Sequence, residues 1–302
     1  LYIRQFFMYD YPSLYILILN FNSYKETLNL FENLQVNILS IAKVIVIDNN
    51  SNSINKEYLR KNIPSNQLIQ LYKNSGYATG NNHGIKKAIH DNANAILILN
   101  PDIKIQPDVI IKLYEKFNTL SDVAAIGTRI CYRNKPEIIY SDGGLIDKQK
   151  GFHTYHLNTG KSIHEIESKS LNKVDYVNGS VFMVKTDVFE KVGLMIESFF
   201  LYFEETEWCL RAKAQGFKLY VDPSLTAYHL SSSKNKSYHF YMTRNRLWLA
   251  KKYPDYYQIT FKIVKRQVIK LFIKRLKGLK LPDRNLMSKL KGLILGHITN
   301  VK

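Results

Sequence analysis

Short apolar runs separated by longer mixed segments dominate the first 130 residues. The runs lie at residues 15–19, 43–47, 68–71, 95–99 and 123–130. Strands that are apolar without interruption are buried on both faces, which is typical of a parallel sheet covered by helices. The segments 24–39, 78–90 and 108–117 are long enough to be the crossover helices. This alternation predicts an α/β fold with a mostly parallel central sheet flanked by helices.

The alternation breaks down over residues 138–172, where glycines separated by polar residues predict hairpins and a loop over the sheet. Beyond it we expect a strand over 174–184, a helix over 204–215, and a strand over 217–221 that closes at Asp222 and Pro223. A further helix is predicted over 238–252. We therefore expect one domain over residues 1–252 and a helical extension over 253–302.

The extension contains a basic amphipathic segment, residues 256–280. Its apolar side carries Phe261, Val264, Val268, Leu271, Phe272, Leu276 and Leu279, and its basic side carries Lys262, Arg266, Lys270, Lys274 and Lys277. Lys265, Ile273 and Arg275 break this pattern. Such a helix can lie in the headgroup region of an acidic membrane. Packing on the first domain and a dimer contact are the alternatives, and the sequence leaves all three open.

Polar side chains follow each of the first four predicted strands. They include Asn20 and Asn22, then Asp48 and Asn50, then Asn74, and finally Asn100 and Asp102. Each group alone is typical of a turn. Together they occupy the carboxyl ends of consecutive strands, which is where open α/β sheets bind ligands. Asp48 suits a nucleobase or ribose, and Asp102, held by Pro101, suits a divalent cation that bridges a diphosphate.

A glycine-rich segment, residues 76–84, follows the third strand. Its spacing is G-x-x-x-G-x-x-x-G and not the G-x-G-x-x-G of dinucleotide sites. Gly76 and its neighbours, including Asn81, are therefore interpreted as a helix start that lets a donor approach the backbone, with free N–H groups facing its anionic groups.

A second cluster contains three carboxylates in one helical turn. Glu207 is explained by a pair with Arg211 and by the helix N-terminus. Glu204 and Glu205 remain beside an aromatic run, where a carboxyl group can gain a raised pKa and act as a general base. His229 is a structural residue or a metal ligand, and the sequence leaves both open.

Composition adds little. The net charge of +18 predicts attraction to nucleic acid, acidic lipid or phosphorylated substrates without choosing among them. Cys131 and Cys209 are far apart, which favours a reducing compartment and two buried thiols. No apolar run reaches the roughly 18 residues of a membrane span, and no segment has the form of a signal peptide. We expect a cytoplasmic protein, with peripheral binding to the inner face of the cell membrane left open, as is a segment upstream of Leu1.

The order and spacing of these motifs resemble glycosyltransferase family 2, the inverting enzymes with the GT-A fold, and most of all its rhamnosyltransferase-like branch. The similarity covers residues 14–252 and includes 18–22, 46–51, 74–82, 99–102, 178–180, 204–211, His229 and 241–245. It implies a catalytic domain that transfers a sugar, rhamnose by analogy with the branch, from a dTDP-, UDP- or GDP-sugar. The implied acceptor is a hydroxyl of a glycan or lipid-linked molecule in cell-surface polysaccharide synthesis.

The resemblance also implies roles for single residues. Asp48 would contact the donor base, Asp102 and His229 would bind Mn²⁺ or Mg²⁺, and Glu205 would be the catalytic base with Glu204 in reserve. The other donor-side candidates are Asn20, Asn22, Asn50, Asn74, Gly76, Asn81 and Asn100. Two positions depart from the family pattern, because Asn100 replaces the first Asp of the D-x-D-like motif and Glu205 replaces an Asp.

Two functions other than sugar transfer predict different sequence features. A nucleotidyltransferase would carry a Gly-rich, basic loop after the first strand, and residues 20–23 are not of that kind. An anion- or RNA-binding protein would interleave basic and aromatic residues on one surface, whereas the densest basic run lies in the extension. We therefore expect no nucleic-acid partner, and the oligomeric state stays open.

Overall fold

The computed structural model describes residues 13–38, 41–167, 170–230, 234–278 and 283–301. Residues 1–12 of the expected domain, the predicted helix end at Leu39, and Leu279 and Lys280 of the amphipathic segment lie outside the described residues.

The first half of the chain alternates strands and helices as the sequence predicts. The strands are Leu14–Asn20 (β1), Ala42–Asp48 (β2), Leu68–Gln70 (β3), Ala95–Leu99 (β4) and Val123–Tyr132 (β5). The helices are Tyr24–Ile38 (α1), Ser53–Asn62 (α2), Gly76–His90 (α3) and Pro107–Asn118 (α4). Helix α2 was not predicted, because most of its residues are polar and only Asn55 and Leu59 among its described side chains are buried.

The second half contains the strands Lys135–Ser141 (β6), Gly144–Asp147 (β7), His153–His156 (β8), Asn172–Lys173 (β9), Val181–Lys185 (β10) and Lys218–His229 (β11). Its helices are Thr186–Val192 (α5), Glu204–Ala214 (α6), Lys236–Lys251 (α7), Pro254–Leu276 (α8) and Asp283–Ile298 (α9). The hairpin of β7 and β8 lies in the region where hairpins were expected.

Nine of the described strands form one large sheet in the order β3-β2-β1-β4-β10-β5-β11-β9, with β6 paired to β5, and β7 and β8 form a separate two-stranded sheet. Strands β1, β2, β3 and β4 are mutually parallel, and β11 is parallel to β5. Alternate residues of β1 enter different cores: Leu14, Ile16 and Ile18 face one cluster, and Tyr15 and Leu17 face the other. The sheet is therefore covered on both faces, which confirms the α/β expectation. Because β1, β2, β3 and β4 are parallel, their polar carboxyl ends lie at one edge of the sheet.

Two strand predictions were wrong in their bounds. The predicted strand over 174–184 is reduced to β10, because the Asn178 side chain and carbonyl accept hydrogen bonds from the N–H groups of Ser180 and Val181 and form a turn there. Strand β10 runs antiparallel between β4 and β5.

The strand predicted to close at Asp222 and Pro223 instead continues to His229. A bulge between Asp222 and Thr226 accommodates Pro223, which needs no ladder hydrogen bond at such a position. The Asp222 carboxylate is held by Ser224 and by Lys116 at 2.6 Å. The continuation carries His229 to the polar edge of the sheet.

Helices α8 and α9 pack on α7. Leu247 of α7, Val264 and Val268 of α8, and Leu286 and Leu293 of α9 share one buried cluster. The boundary expected at residues 252 and 253 falls between two helices of this bundle. Of the alternatives for the amphipathic segment, packing on the rest of the chain therefore applies to the inner face of α8. Within the described residues no helix is long and apolar enough to cross a membrane, and both cysteines are buried and free, as expected.

Candidate active site

Asp48, at the end of β2, is fully buried and held in place by its neighbours. The Asn20 amide donates to Asp48 Oδ1 at 3.0 Å and to Ser51 Oγ at 2.9 Å. The Asn20 Oδ1 atom accepts from Ser23 N–H and from the Thr27 hydroxyl. All of the Asn20 amide groups are thus used inside the protein, and Asn20 positions Asp48 at the strand end.

Asn22 and Asn50 line the turn beside this carboxylate. Both adopt left-handed backbone conformations, with φ of 56° and 59°, which Asn tolerates better than most residues. Asn22 Oδ1 accepts from the Asn52 N–H at 2.9 Å, and Asn50 Oδ1 accepts from Lys56 Nζ at 2.5 Å. The two side chains shape the loops around Asp48.

Asn49 connects this turn to the glycine-rich segment, and sequence reasoning did not single it out. Its amide donates to Asn74 Oδ1 and to the Gly76 carbonyl, both at 3.0 Å. Gly76 has a φ of 91°, and a Cβ atom there would lie 2.2 Å from the Phe200 carbonyl oxygen. Gly76 is therefore required for the contact between the start of α3 and the segment before α6.

Asn81 lies one turn into α3 and is fully buried. Its amide nitrogen donates to the Tyr77 carbonyl at 3.1 Å, but its Oδ1 atom has no hydrogen-bond partner among the described residues. A buried carbonyl oxygen without a donor is unfavourable, so this position suits a ligand donor or a water molecule.

Asp102 and His229 meet at the polar edge although 127 positions separate them. His229 Nε2 lies 3.3 Å from Asp102 Oδ1. Two backbone hydrogen bonds between Lys104 and Tyr228, each 2.8 Å, join the loop after Asp102 to the end of β11. The His229 ring stacks on Tyr140 at 6.0 Å between centroids. Asn100 donates from its amide to Ser180 Oγ at 3.2 Å.

One cavity of about 950 Å³ brings several predicted residues together. Asn100, Asp102, Glu204, Glu205 and His229 all contribute to its wall. The remaining donor-side candidates do not line this cavity; they lie at or after the ends of β1, β2 and β3 and in the first turns of α3, and they are Asn20, Asn22, Asp48, Asn50, Asn74, Gly76 and Asn81.

Glu204 and Glu205 begin α6 at the wall of this cavity. Burial raises the pKa of Glu204 well above its usual range, and the neighbouring Glu205 raises it further. Burial also raises the pKa of Glu205 to about 7, against hydrogen bonds that lower it. Glu205 thus changes its charge near neutral pH, where a general base is most effective.

Three tyrosines form the aromatic surroundings of Glu205. Burial raises the pKa of Tyr77, Tyr140 and Tyr176, and the charge of Glu205 contributes in each case. The Tyr77 hydroxyl donates to the Gly179 carbonyl at 2.7 Å and so fixes the turn that faces Glu205. The aromatic wall predicted from the segment before α6 is present in Tyr202 and Phe203, and these tyrosines extend it.

The sequence model described as Glycosyl transferase family 2 matches residues 15–192, more than half of the chain. The chain belongs to glycosyltransferase family 2. The resemblance to glycosyltransferase family 2 that the sequence motifs indicated is therefore confirmed. Membership of this family favours a transferase over an RNA-binding protein.

Three relatives place this family 2 chain near hexosyl- and rhamnosyltransferases. It is 29% identical over 214 residues to the low-salt glycan biosynthesis hexosyltransferase Agl10 of Haloferax volcanii, covering 68% of this chain and 62% of the relative. It is 28% identical over 197 residues to the dTDP-rhamnosyl transferase RfbF of Shigella flexneri, covering 64% and 61%. It is 26% identical over 242 residues to the rhamnosyltransferase WbbL of Escherichia coli K12, covering 74% and 86%. The matches thus span about three fifths of the first two relatives.

Solved structures confirm the GT-A fold. The crystal structure of GalNAc-T7 with UDP, GalNAc and Mn²⁺ superposes with a TM-score of 0.65 at 15% identity, over 96% of this chain and 55% of that one. The mannosyltransferase PcManGT of Pyrobaculum calidifontis, in complex with GDP-Man and Mn²⁺, gives 0.57 at 10% identity, over 97% and 88%.

A strained segment before α6 positions the two glutamates of this family 2 protein. Phe200, Tyr202 and Phe203 all have positive φ, between 65° and 75°. The Asn245 amide, fully buried in α7, donates to the carbonyls of Phe199, Leu201 and Tyr202 at 2.7 to 3.0 Å. The backbone strain costs about 1 kcal/mol or more per residue, and the hydrogen bonds from the Asn245 amide offset it. Sequence reasoning included Asn245 in a motif without a role, because its partners are carbonyls that no pattern marks.

The residues at the cavity fit a metal ion only with help from a ligand. Within the described residues, no group of three or more His, Cys, Asp or Glu side chains is placed to hold an ion. Asp102 and His229 supply one carboxylate and one imidazole, and an ion there would complete its shell with phosphate oxygens and water. Imidazole suits Mn²⁺ better than Mg²⁺. The assignment of this pair as metal ligands stays a prediction.

Proposed function

We propose that this protein is an inverting, metal-dependent glycosyltransferase. It transfers a sugar from a nucleotide-diphosphate sugar to a hydroxyl group of a glycan or lipid-linked acceptor in cell-surface polysaccharide synthesis. The observation that carries this proposal is the single cavity that joins Glu205, with its pKa of about 7, to the Asp102–His229 pair. In a displacement at the anomeric carbon, a base takes the proton of the acceptor hydroxyl and a metal ion stabilises the leaving diphosphate. One cavity that contains both kinds of group suits this reaction.

Glu205 takes the proton of the acceptor hydroxyl in this mechanism. The acceptor oxygen forms a bond to the anomeric carbon while the bond from that carbon to the diphosphate oxygen breaks, so the configuration inverts. Asp102 and His229 would hold Mn²⁺ or Mg²⁺, which would compensate the charge of the leaving diphosphate. Glu204, whose pKa burial raises well above its usual range, stays the reserve base.

The donor site extends from this cavity along the polar edge. Asp48 contacts the nucleobase or ribose, held for that purpose by Asn20 and Ser51. Asn81 offers its unpartnered Oδ1 atom to the donor, and Asn22, Asn50, Asn74, Gly76 and Asn100 complete the loops around it. Similarity to a dTDP-rhamnosyl transferase and to a rhamnosyltransferase supports rhamnose on dTDP as the first donor to test.

Thermal unfolding with dTDP, UDP and GDP, each with and without Mn²⁺, tests the proposal. We expect one nucleotide to raise the midpoint temperature, and the rise to need the metal. Asp102→Asn should abolish the metal-dependent part, whereas Asp108→Asn, an exposed carboxylate on α4, should leave it unchanged. No rise with any of the three nucleotides would contradict the proposed donor site.

We further propose that the enzyme is cytoplasmic and binds the acidic inner face of the cell membrane through α8. The observation is a strip of exposed apolar side chains at helical spacing, Ile269, Phe272, Ile273 and Leu276, with exposures from 44% to 72%. Lys265, Arg266 and Lys277 flank the strip and complement acidic lipid. The strip lies apart from Val264 and Val268, which face the helical bundle.

A further inference from the structure

The cavity that contains Glu205 has a second, basic end. Lys234 precedes α7, Lys270 and Lys274 lie on α8, and Lys289 lies on α9. These four lysines, the basic cluster below, come from three separate elements and line the same cavity. Only the packing of α8 and α9 against α7 brings them there.

The basic cluster is not neutralised by the protein. Burial and then the charge of Lys234 lower the pKa of Lys289, and burial, Lys289 and Lys234 lower the pKa of His239. Among the described residues, none of the four lysines makes an ion pair, whereas Lys116 and Lys213 elsewhere are paired with Asp222 and Asp175. Like charges gathered without a partner repel one another, so this end of the cavity favours an anionic ligand.

The basic cluster and the Asp102–His229 pair, proposed to hold the metal at the donor diphosphate, line one cavity but come from different elements. Asp102 lies in the loop after β4, and His229 lies at the end of β11. Of the four lysines, Lys234 precedes α7 and the others lie on α8 and α9. Glu205 lies on the wall of the same cavity. An anion at the basic end would therefore belong to the molecule whose hydroxyl reaches Glu205, which is the acceptor.

Apolar side chains accompany the lysines. Met242, Val264 and Leu271 also line the cavity. Arg246, another cationic lining residue, is engaged with the carbonyls of Gly151 and Lys150. The basic end thus offers charged donors and apolar contacts side by side, as a phosphate attached to a hydrocarbon chain requires.

We propose that Lys234, Lys270, Lys274 and Lys289 bind a phosphate or diphosphate group carried by the acceptor. This proposal rests on the proposed transferase function and names the chemical class of its acceptor. The lysines hold the phosphate group and so place the acceptor hydroxyl at Glu205. Neutral acceptors lack this anchor and bind more weakly.

Titration calorimetry with geranyl diphosphate in metal-free buffer tests the site without turnover. The variant Lys270→Gln/Lys274→Gln/Lys289→Gln should raise the Kd by about 10- to 100-fold, which corresponds to the loss of one or two charge-assisted hydrogen bonds to the phosphate group at about tenfold each. The matched control Lys262→Gln/Lys265→Gln/Lys277→Gln removes the same charge from α8 at positions that do not line the cavity. It should bind geranyl diphosphate as the unchanged protein does.

Two further arms separate the alternatives. Asp102→Asn should keep geranyl diphosphate binding while losing metal-dependent nucleotide binding. Loss of both kinds of binding in Asp102→Asn would place the probe in the donor site and overturn the proposal. Inorganic pyrophosphate should bind more weakly than geranyl diphosphate because it lacks the prenyl chain that Met242 and Leu271 would contact.

The remaining outcomes are also decisive. Equal loss of binding in both triple variants would reduce the effect to net charge and overturn the site. Binding of geranyl diphosphate that needs the basic cluster, in a protein that binds no nucleoside diphosphate, would keep the anion site and remove the proposed transferase function.

Discussion

Glu204 and Glu205 are adjacent in sequence yet occupy different environments. Glu204 is 2% exposed and its Oε2 atom has no partner among the described residues. Glu205 faces the cavity and is only partly buried. Because burial disfavours a carboxylate, both pKa values are raised, that of Glu205 to about 7. Glu205 is therefore the better general base of the two.

Activity should depend on the charge of Glu205. Because a base must be deprotonated, we expect kcat/KM to rise as the pH increases through about 7 and then level off. Glu205→Gln should lower kcat by about 10² to 10⁴-fold and leave the nucleotide-induced rise in melting temperature intact.

Steady-state kinetics between pH 5.5 and pH 9, about two units on each side of the midpoint, check this expectation. Glu204→Gln leaves the Glu205 carboxyl group in place and should retain the pH dependence. Most of the activity surviving in Glu205→Gln, or the pH dependence moving to Glu204, would exclude Glu205 as the base.

At the scale of elements, the start of α3 and the segment before α6 depend on each other. The Tyr77 N–H donates to the Phe200 carbonyl at 2.6 Å, and Gly76 allows this approach. Asn245 and Arg244 of α7 hold the same segment from the other side through the carbonyls of Phe199 and Tyr202. The polar edge of the sheet and Glu205 are thus positioned by contacts between three elements.

Gly76→Ala tests that dependence. The substitution adds a Cβ atom 2.2 Å from the Phe200 oxygen at a φ of 91°, and it should lower the free energy of unfolding by about 2–4 kcal/mol. Gly216→Ala is the matched control, since Gly216 has a φ of 89° with no atom within 4 Å, and it should cost only about 1 kcal/mol.

Urea denaturation of both variants measures the difference. Gly76→Ala should also lower kcat/KM, because the moved segment carries the helix start of Glu205, whereas Gly216→Ala should not. Equal losses of stability would mean that backbone strain, and not the contact with Phe200, makes glycine necessary at position 76.

At the scale of the whole molecule, α8 has three faces with different partners. Val264 and Val268 pack into the bundle, Lys270 and Lys274 line the cavity, and the apolar strip from Ile269 to Leu276 is exposed. Removing the whole extension would therefore disturb the bundle and the cavity together, so surface substitutions are the sharper test of membrane binding.

Flotation with vesicles of phosphatidylcholine, alone or mixed with phosphatidylglycerol, tests the exposed strip. Phe272→Ser/Leu276→Ser should reduce binding to the acidic vesicles by more than about tenfold, because burying each of these side chains contributes roughly 1.5–3 kcal/mol. Val36→Ser/Ile54→Ser removes exposed apolar side chains from α1 and α2 and is the control. Equal flotation of the two variants would exclude the strip as the membrane contact.

The sequence by itself determined the strands and crossover helices of the first half and the polar edge of the sheet. These follow from local periodicity, because runs such as residues 43–47 and 95–99 are apolar at every position and each ends in Asn or Asp. The same local signal did not reveal α2, whose residues are mostly polar, or the bulge that lets β11 pass Pro223.

Tertiary structure decided what no local pattern contains. The insertion of β10 between β4 and β5, and the bridge between Lys104 and Tyr228 that brings His229 to Asp102, depend on pairing between distant segments. Burial raises the pKa of both Glu204 and Glu205, and the packing of α8 and α9 on α7 brings the four lysines into the cavity that Glu205 lines. Desolvation and the approach of like charges arise from the packed chain, so the site's chemistry depends on contacts that the order of residues does not express.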